Sequence, residues 1–358
     1  MDRSQLVEFV RAGIAATSAD NLQPWRFGLG ESSLELRLDP TYLGAFVDPL
    51  NYASLLSAGG VVENIRLTAQ ATGFAVAEQR LSATAPDYIV ARLGFAPAPS
   101  QFDPAVEGIF RRCTHRGAFK RDVAVAAATL DEIERMTARH TGTRIVWAQR
   151  QRLRVIRSIV TRVDRLRYTN RQMHEGFYRT LRFGRAIEAT GDGLAADTLA
   201  IEWFLVLALR ALRPWWLARA SLLLGTHYFS AFRGTYVPLM SAPCVGALLM
   251  PRNADYVSCG QALQRCWLAV NRIAGLHYQP LGALPLLLFR LEELCGEGLD
   301  ARERGVLRNA ADALQEQLQV SFTSERLVIL FRLGYAEEPP ARARRRPVER
   351  FLIDQPAS

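Results

Sequence analysis

One segment of this chain occurs twice in related form, and that constrains the fold more than any single motif. Residues 57–73 read SAGGVVENIRLTAQATG and residues 258–275 read SCGQALQRCWLAVNRIAG. Each opens on Ser-x-Gly, runs about four helical turns and closes on glycine. In the first, Ala58, Val62, Ile65 and Ala69 share one helical face; in the second, Leu263, Cys266, Val270 and Ile273 do. Ser57 and Ser258 stand where N-caps are expected, and Gly73 and Gly275 suit the left-handed C-terminal cap. The small residues at 58–60 and 259–260 let each helix start approach a neighbour closely. Two such core helices about two hundred residues apart imply a pair of related units fused in one chain.

Around this pair, helices and strands interleave without a βαβ rhythm, which implies an α+β class. Residues 4–16 read as a helix, and SLELRLDP (33–40) alternates as a strand after a turn at 30–33. Strands are expected at 88–95, 143–148, 244–251 and 325–336, and helices at 127–141, 151–189 and 303–318. PAPS (97–100) and QFDP mark a boundary, giving an N-terminal half at 1–100 and a C-terminal half at 101–358.

Composition excludes several classes. The formal net charge is +9, but Lys120 is the only lysine. Such an arginine skew reflects a GC-rich coding sequence as readily as a nucleic-acid partner, and no nucleic-acid-binding motif is visible. Cys113, Cys244, Cys259, Cys266 and Cys295 contain no C-x-x-C pair, and the five histidines are scattered, so no metal site is expected. Asp2, Glu8 and Arg11 interrupt the first apolar positions, which argues against a signal peptide and for a cytoplasmic location. The most apolar stretch, 201–225, carries Arg210, Arg213 and Arg219 and is broken by Pro214, so no stable span is expected. It lies flat on a bilayer with Trp215 and Trp216 at the interface, or, the favoured reading, forms one or two helices that line an apolar cavity or cover the core.

Three polar segments carry the chemistry. SADNLQPWRF (18–27) sets Ser18, Asn21 and Gln23 ahead of Pro24-Trp25, as a polar turn or as a loop presenting hydroxyl and amide groups to a flat polar ligand. FRRCTHRGAF (110–119) places Arg112, Thr114 and Arg116 on one side of an extended segment, a set suited to a terminal phosphate. RARRRPVERF (342–351) is a second basic run. Dinucleotide, P-loop and nucleophile-elbow motifs are absent.

Together these segments resemble the nitroreductase family of FMN-dependent oxidoreductases over most of the chain. SADNLQPWRF is similar to that family's P-S-x-x-N-x-Q-P-W signature, with Thr17 in place of the proline. RRCTHR resembles its R-R-S-x-R phosphate motif with altered spacing, and LGYAEEPPARARRRPVERFL its C-terminal arm. GLHYQPLGAL (275–284) resembles the segment that passes the flavin, with Gly282 where many members have glutamate. The Asn-Gln-Pro-Trp loop occurs only in the first half and the arginine segments only in the second. The resemblance therefore implies a fused tandem, a single-chain pseudo-dimer with related sheets flanked by helices and one composite FMN site.

On that resemblance, Arg112, Thr114, Arg116, Arg344 and Arg346 hold the phosphate, and Ser18, Asn21 and Gln23 meet the ribityl and pyrimidine edge. Pro280, Leu281 and Gly282 pass N5, which exchanges hydride with a small organic substrate, so no catalytic side chain is required. NADH or NADPH is the expected electron donor, and the chain is a monomer or homodimer. A biosynthetic dehydrogenase fits the same residues, and so does a flavin-storage protein closed by a lid over 201–240.

Overall fold

In the computed structural model, residues 1–48, 50–138, 142–149 and 151–353 are described. The same sequence of elements is laid down twice: helix, strand, strand, helix, strand, strand. The first pass is Arg3–Ile14, Trp25–Leu29, Ser33–Leu38, Tyr52–Ala71, Phe74–Arg80 and Ile89–Pro97. The second is Ala127–Thr137, Arg144–Gln149, Cys244–Pro251, Tyr256–Arg272, Leu276–Pro280 and Glu325–Tyr335. In both sheets the four strands lie in the spatial order first, second, fourth, third, and every pairing among them is antiparallel. The mixed helix and strand content is that of an α+β fold.

The two long helices, Tyr52–Ala71 and Tyr256–Arg272, cross at the centre of the molecule, and glycine makes the crossing possible. A Cβ on Gly59 would stand 2.1 Å from the Val257 carbonyl oxygen, and one on Gly260 would stand 2.0 Å from that of Leu56. The reciprocity is the mark of a two-fold: each helix offers the same three-residue step to the other. Beside the crossing, Gln264 Nε2 donates to Asn64 Oδ1 at 2.9 Å, and buried Arg265 pairs with Glu63 at 3.2 Å and with Asp103. The first central helix is buried on nearly every side, as a helix enclosed by its own half and the other must be.

Two details differ from the sequence expectation. Ser57 lies inside the first helix, where its hydroxyl donates to the Ala53 carbonyl at 2.7 Å, so the helix begins a turn and a half earlier than the glycine pattern implies. Asp255, not Ser258, caps the second helix by accepting from the Ser258 amide at 2.9 Å. Gly73 and Gly275 do take positive φ, +89° and +71°.

The second unit carries two insertions. One, between its first two strands, is a helical cap over 151–240; the other contributes the helices Ala283–Glu293 and Ala301–Leu318. The long helices expected over 151–189 are shorter and more broken: Gln151–Asp164, Leu166–Thr169, Arg171–Thr180 and Arg185–Thr190. Asn170 caps a new helix at Arg171–Thr180, and a parallel strand pair, Leu181–Arg182 with Leu194–Ala195, follows. Beyond Tyr335 the chain crosses back to the first unit, where Leu352–Ile353 pairs in parallel with Trp25–Leu29, Leu352 opposite Phe27. No helix among the described residues is long and apolar enough to cross a membrane.

Candidate functional site

A cavity of about 760 Å³ lies between the two units and under the cap. That volume is in the range of small-molecule sites. Its wall is drawn from both units: the loop before Trp25, the start of the first central helix, the segment around Arg112, the start of the helix Ala283–Glu293, the strand near Arg332, the returning arm, and the cap.

The loop is built under strain. Asp20, Asn21 and Gln23 have φ of 46°, 57° and 54°, in the left-handed region that side chains disfavour. Such strain persists only where surrounding contacts over-determine it. Here the Gln23 amide donates to Ser18 Oγ at 3.1 Å, and its side chain donates to the Gly191 carbonyl at 2.9 Å and accepts from the Arg346 amide at 3.0 Å. Asn21 Nδ2 donates to the Arg344 carbonyl at 2.9 Å and the Gly193 carbonyl at 3.3 Å, and its Oδ1 accepts from Arg345. The two amides thus tie the loop to the cap and to the returning arm. Trp25, directly after, is wholly buried in the core of the first unit.

The arginines converge from three segments. Arg112 lies over the Trp267 ring, 4.6 Å from its centroid, and donates to the Ala15 carbonyl at 3.1 Å. Arg345 donates to the carbonyls of Ile14 and Ala16, both at 3.0 Å. Among the described residues Arg116 hydrogen-bonds only to Thr198, its carbonyl at 3.4 Å and its Oγ1 at 3.3 Å. Arg332, fully buried in its strand, donates to the carbonyls of Gly117 at 2.6 Å and Pro238 at 2.8 Å. All four line the cavity, and none has a carboxylate partner among the described residues.

Carbonyl dipoles solvate a guanidinium without neutralising it. Burial, reinforced by the Arg345 charge, pushes Arg112 down to about 9. Burial brings Arg345 to about 10, and burial with the Arg116 charge brings Arg332 to about 9. Burial also lowers Arg116, against the pull of Asp20. A guanidinium stays charged at neutral pH, so the site gathers four cations with only Asp20 acting on one of them, Arg116, and none in an ion pair among the described residues.

Of the residues singled out from the sequence, Ser18, Asn21, Arg112, Thr114, Arg116, Pro280, Leu281 and Gly282 line the cavity. Gln23, Arg344 and Arg346 do not. Gln23 is fully buried as a tie between segments; Arg344 turns outward to Glu188 at 3.2 Å; Arg346 donates to Tyr42 Oη at 2.8 Å and to the loop carbonyls of Leu22 and Gln23. Their neighbour Arg345 points inward instead, because 344 and 346 face away in an extended arm. At Gly282 φ is −73° and a Cβ would meet only Ile329, at 3.7 Å, so glycine leaves open backbone there rather than relieving a clash. Arg332 was missed, although a lone arginine within the apolar strand VILFRLGY is a readable sign of a buried charge.

No protein-family model and no curated protein matches the chain. Solved structures do. The chain is similar to a putative nitroreductase in complex with FMN from Desulfovibrio desulfuricans, at 12% identity and a TM-score of 0.36, over 72% of this chain and 100% of that one. It is similar to the FMN-dependent nitroreductase NfnB from Mycobacterium smegmatis in complex with NADPH, at 16% identity and a TM-score of 0.39, over 71% and 98%. A nitroreductase with bound FMN from Desulfitobacterium hafniense aligns at 13% identity and a TM-score of 0.34, over 67% and 94%.

Proposed function

We propose that the cavity holds one FMN and that the chain is an FMN-dependent oxidoreductase acting on a small organic substrate. The observation that carries this reading is the convergence of Arg112, Arg116, Arg332 and Arg345 on one cavity, none of them in an ion pair among the described residues; of the carboxylates that also line it, Asp164 is paired with Arg167 and Asp48 is engaged by the Ala53 and Ser54 amides. A buried cluster of cations calls for an anionic ligand, and guanidinium forks favour phosphate. The rest of the wall suits a large flat ring: Leu281, Leu284, Leu205 and Leu209 line it alongside the polar loop. The loop matches the flavin-contacting signature in kind, and FMN unites a terminal phosphate, a polar ribityl chain and an apolar ring system in one molecule.

In this reading Arg116, with its two long hydrogen bonds to Thr198, is the cation freest to turn toward the phosphate. Arg112 and Arg345 are fixed by main-chain carbonyls and supply field. Ser18 and the backbone at Leu281–Gly282 offer hydrogen-bonding groups to the polar edge of the ring, and the cap excludes water from the face where a substrate stacks. Bound FMN supplies the hydride chemistry, so no acid-base side chain is needed. NADH or NADPH as donor belongs to this proposal.

The cap over the cavity favours one further reading, a flavin store without turnover. Anaerobic addition of NADH or NADPH to the FMN-loaded chain separates the two. The oxidoreductase reading expects the visible flavin absorbance to bleach with one of the donors and to return on adding an acceptor. A flavin that stays oxidised with both donors overturns it in favour of storage.

A further inference from the structure

The outer face of the cap is unlike the rest of the surface. Of the sixteen large hydrophobic residues exposed among the described residues, ten lie between Trp203 and Met240. Trp203 is 75% exposed, Trp216 71%, Leu223 92% and Leu224 84%. The helix Trp203–Ala211 has no buried residue at all, although eight of the nine residues in WFLVLALRA are apolar. The segment forms a wall one helix thick. Leu205, Leu209, Leu212 and Leu222 face the cavity, while Trp203, Phe204, Leu207, Leu223 and Leu224 face out.

Its charge is as one-sided as its polarity. No Asp or Glu occurs between Glu202 and Asp255, and the only charged side chains from 203 to 240 are Arg210, Arg213, Arg219 and Arg233. Arg233 is paired with Glu202 at 2.6 Å; the other three have no ion-pair partner among the described residues, and all three are exposed. Exposed tryptophans and leucines set among unpaired arginines fit the boundary of an anionic bilayer, where rings sit at headgroup depth and guanidiniums meet phosphate. We infer that the cap face over 203–232 docks on an anionic lipid surface, placing the apolar wall of the cavity against the acyl region. The chain then takes apolar substrates from the membrane side.

Flotation with vesicles tests this on the full chain, whether or not flavin is bound, so the outcome is independent of the cofactor reading. The chain should float with phosphatidylcholine vesicles containing phosphatidylglycerol, much less with phosphatidylcholine alone, and should be released by salt. Brominated acyl chains should quench tryptophan emission of the unmodified protein, which needs no variant. The paired change Leu223→Asp and Leu224→Asp, at solvent-facing positions, should abolish flotation with an unchanged thermal melt. Arg210→Gln and Arg219→Gln should each lower vesicle affinity about five-fold. No flotation with either vesicle overturns the inference. So does equal flotation of the Leu223→Asp, Leu224→Asp variant, or a wild-type dimer that this variant converts to monomer, which would assign the face to a second copy of the chain.

Discussion

At the residue scale, the arginines divide by what already satisfies them. Arg112 and Arg345 are held by carbonyls at 3.0–3.1 Å, whereas Arg116 has only contacts at 3.3 Å and beyond. Arg116→Ala should therefore weaken FMN binding by roughly 1–3 kcal/mol, the range of a charged hydrogen bond. Because it removes a charge that has no ion pair among the described residues, it should leave the melting temperature of the flavin-free chain unchanged or raised. Arg116→Lys should recover only part of the affinity, since a fork becomes a point charge. Flavin titration beside thermal melts reads both; an alanine variant that loses stability without losing affinity makes Arg116 structural. Histidine gives the pH dependence. His115 lies 4.9 Å from the His277 ring, and burial, then the His277 and Arg332 charges, push it down to about 4. Burial lowers His277 as well. Between pH 6.5 and about 4 the unfolded chain takes up protons that the folded His115 refuses, so stability should fall as the pH drops through that window. Melts against pH should show this limb, and His115→Phe should flatten it.

At the element scale, what was legible was whatever repeats with a period. Strand 244–251 was read with its bounds intact, and the face Ala58, Val62, Ile65 and Ala69 is wholly buried. The strands Phe74–Arg80 and Leu276–Pro280 were missed, the first because its edge position leaves alternate residues exposed, the second because five residues are too few to show alternation. In the candidate site, the loop and the Arg112–Arg116 segment were legible because local spacing carries them. The choice of Arg345 over its neighbours was not, because the turn of the arm is set by Asn21, more than three hundred residues away. The helix crossing yields its own prediction. Gly260→Ala forces a methyl against the Leu56 carbonyl at 2.0 Å, a backbone atom that cannot rotate away. The cost should reach or exceed the roughly 1–3 kcal/mol of an overpacked core. Gly305→Ala, at a half-buried helix position where a Cβ meets nothing within 4 Å, is the control and should stabilise slightly. Equal melts for the two variants would show that the close approach at the glycines does not carry the helix crossing.

At the scale of the whole molecule, two similar units around a two-fold would offer two equivalent sites, and the two sides of the helix crossing differ. Gly59 and Gly260 occupy matching positions in the crossing, so Ser54 and Ser57, which line the cavity, correspond to Asp255 and Ser258. On that second side Arg80 reaches across from the first unit, bonding Asp255 and Ser258 and donating to Gln261 Oε1 at 2.7 Å. The place of a ligand is thus taken by the chain's own cation, and no cluster of unpaired arginines faces it among the described residues. The arginine segment, the loop and the returning arm meet once, on the cavity side. FMN should accordingly bind at one per chain, measured by flavin absorbance against protein concentration after desalting. Its phosphate relieves the repulsion among four cations, so loading should raise the melting temperature, by an amount equivalent to about 2.7 kcal/mol when free FMN stands at a hundred times its Kd. Riboflavin, which lacks the phosphate, should bind far more weakly and shift the melt little. Two flavins per chain at saturation would show that Arg80 does not close the second side, and riboflavin binding as tightly as FMN would remove the arginines from the phosphate role.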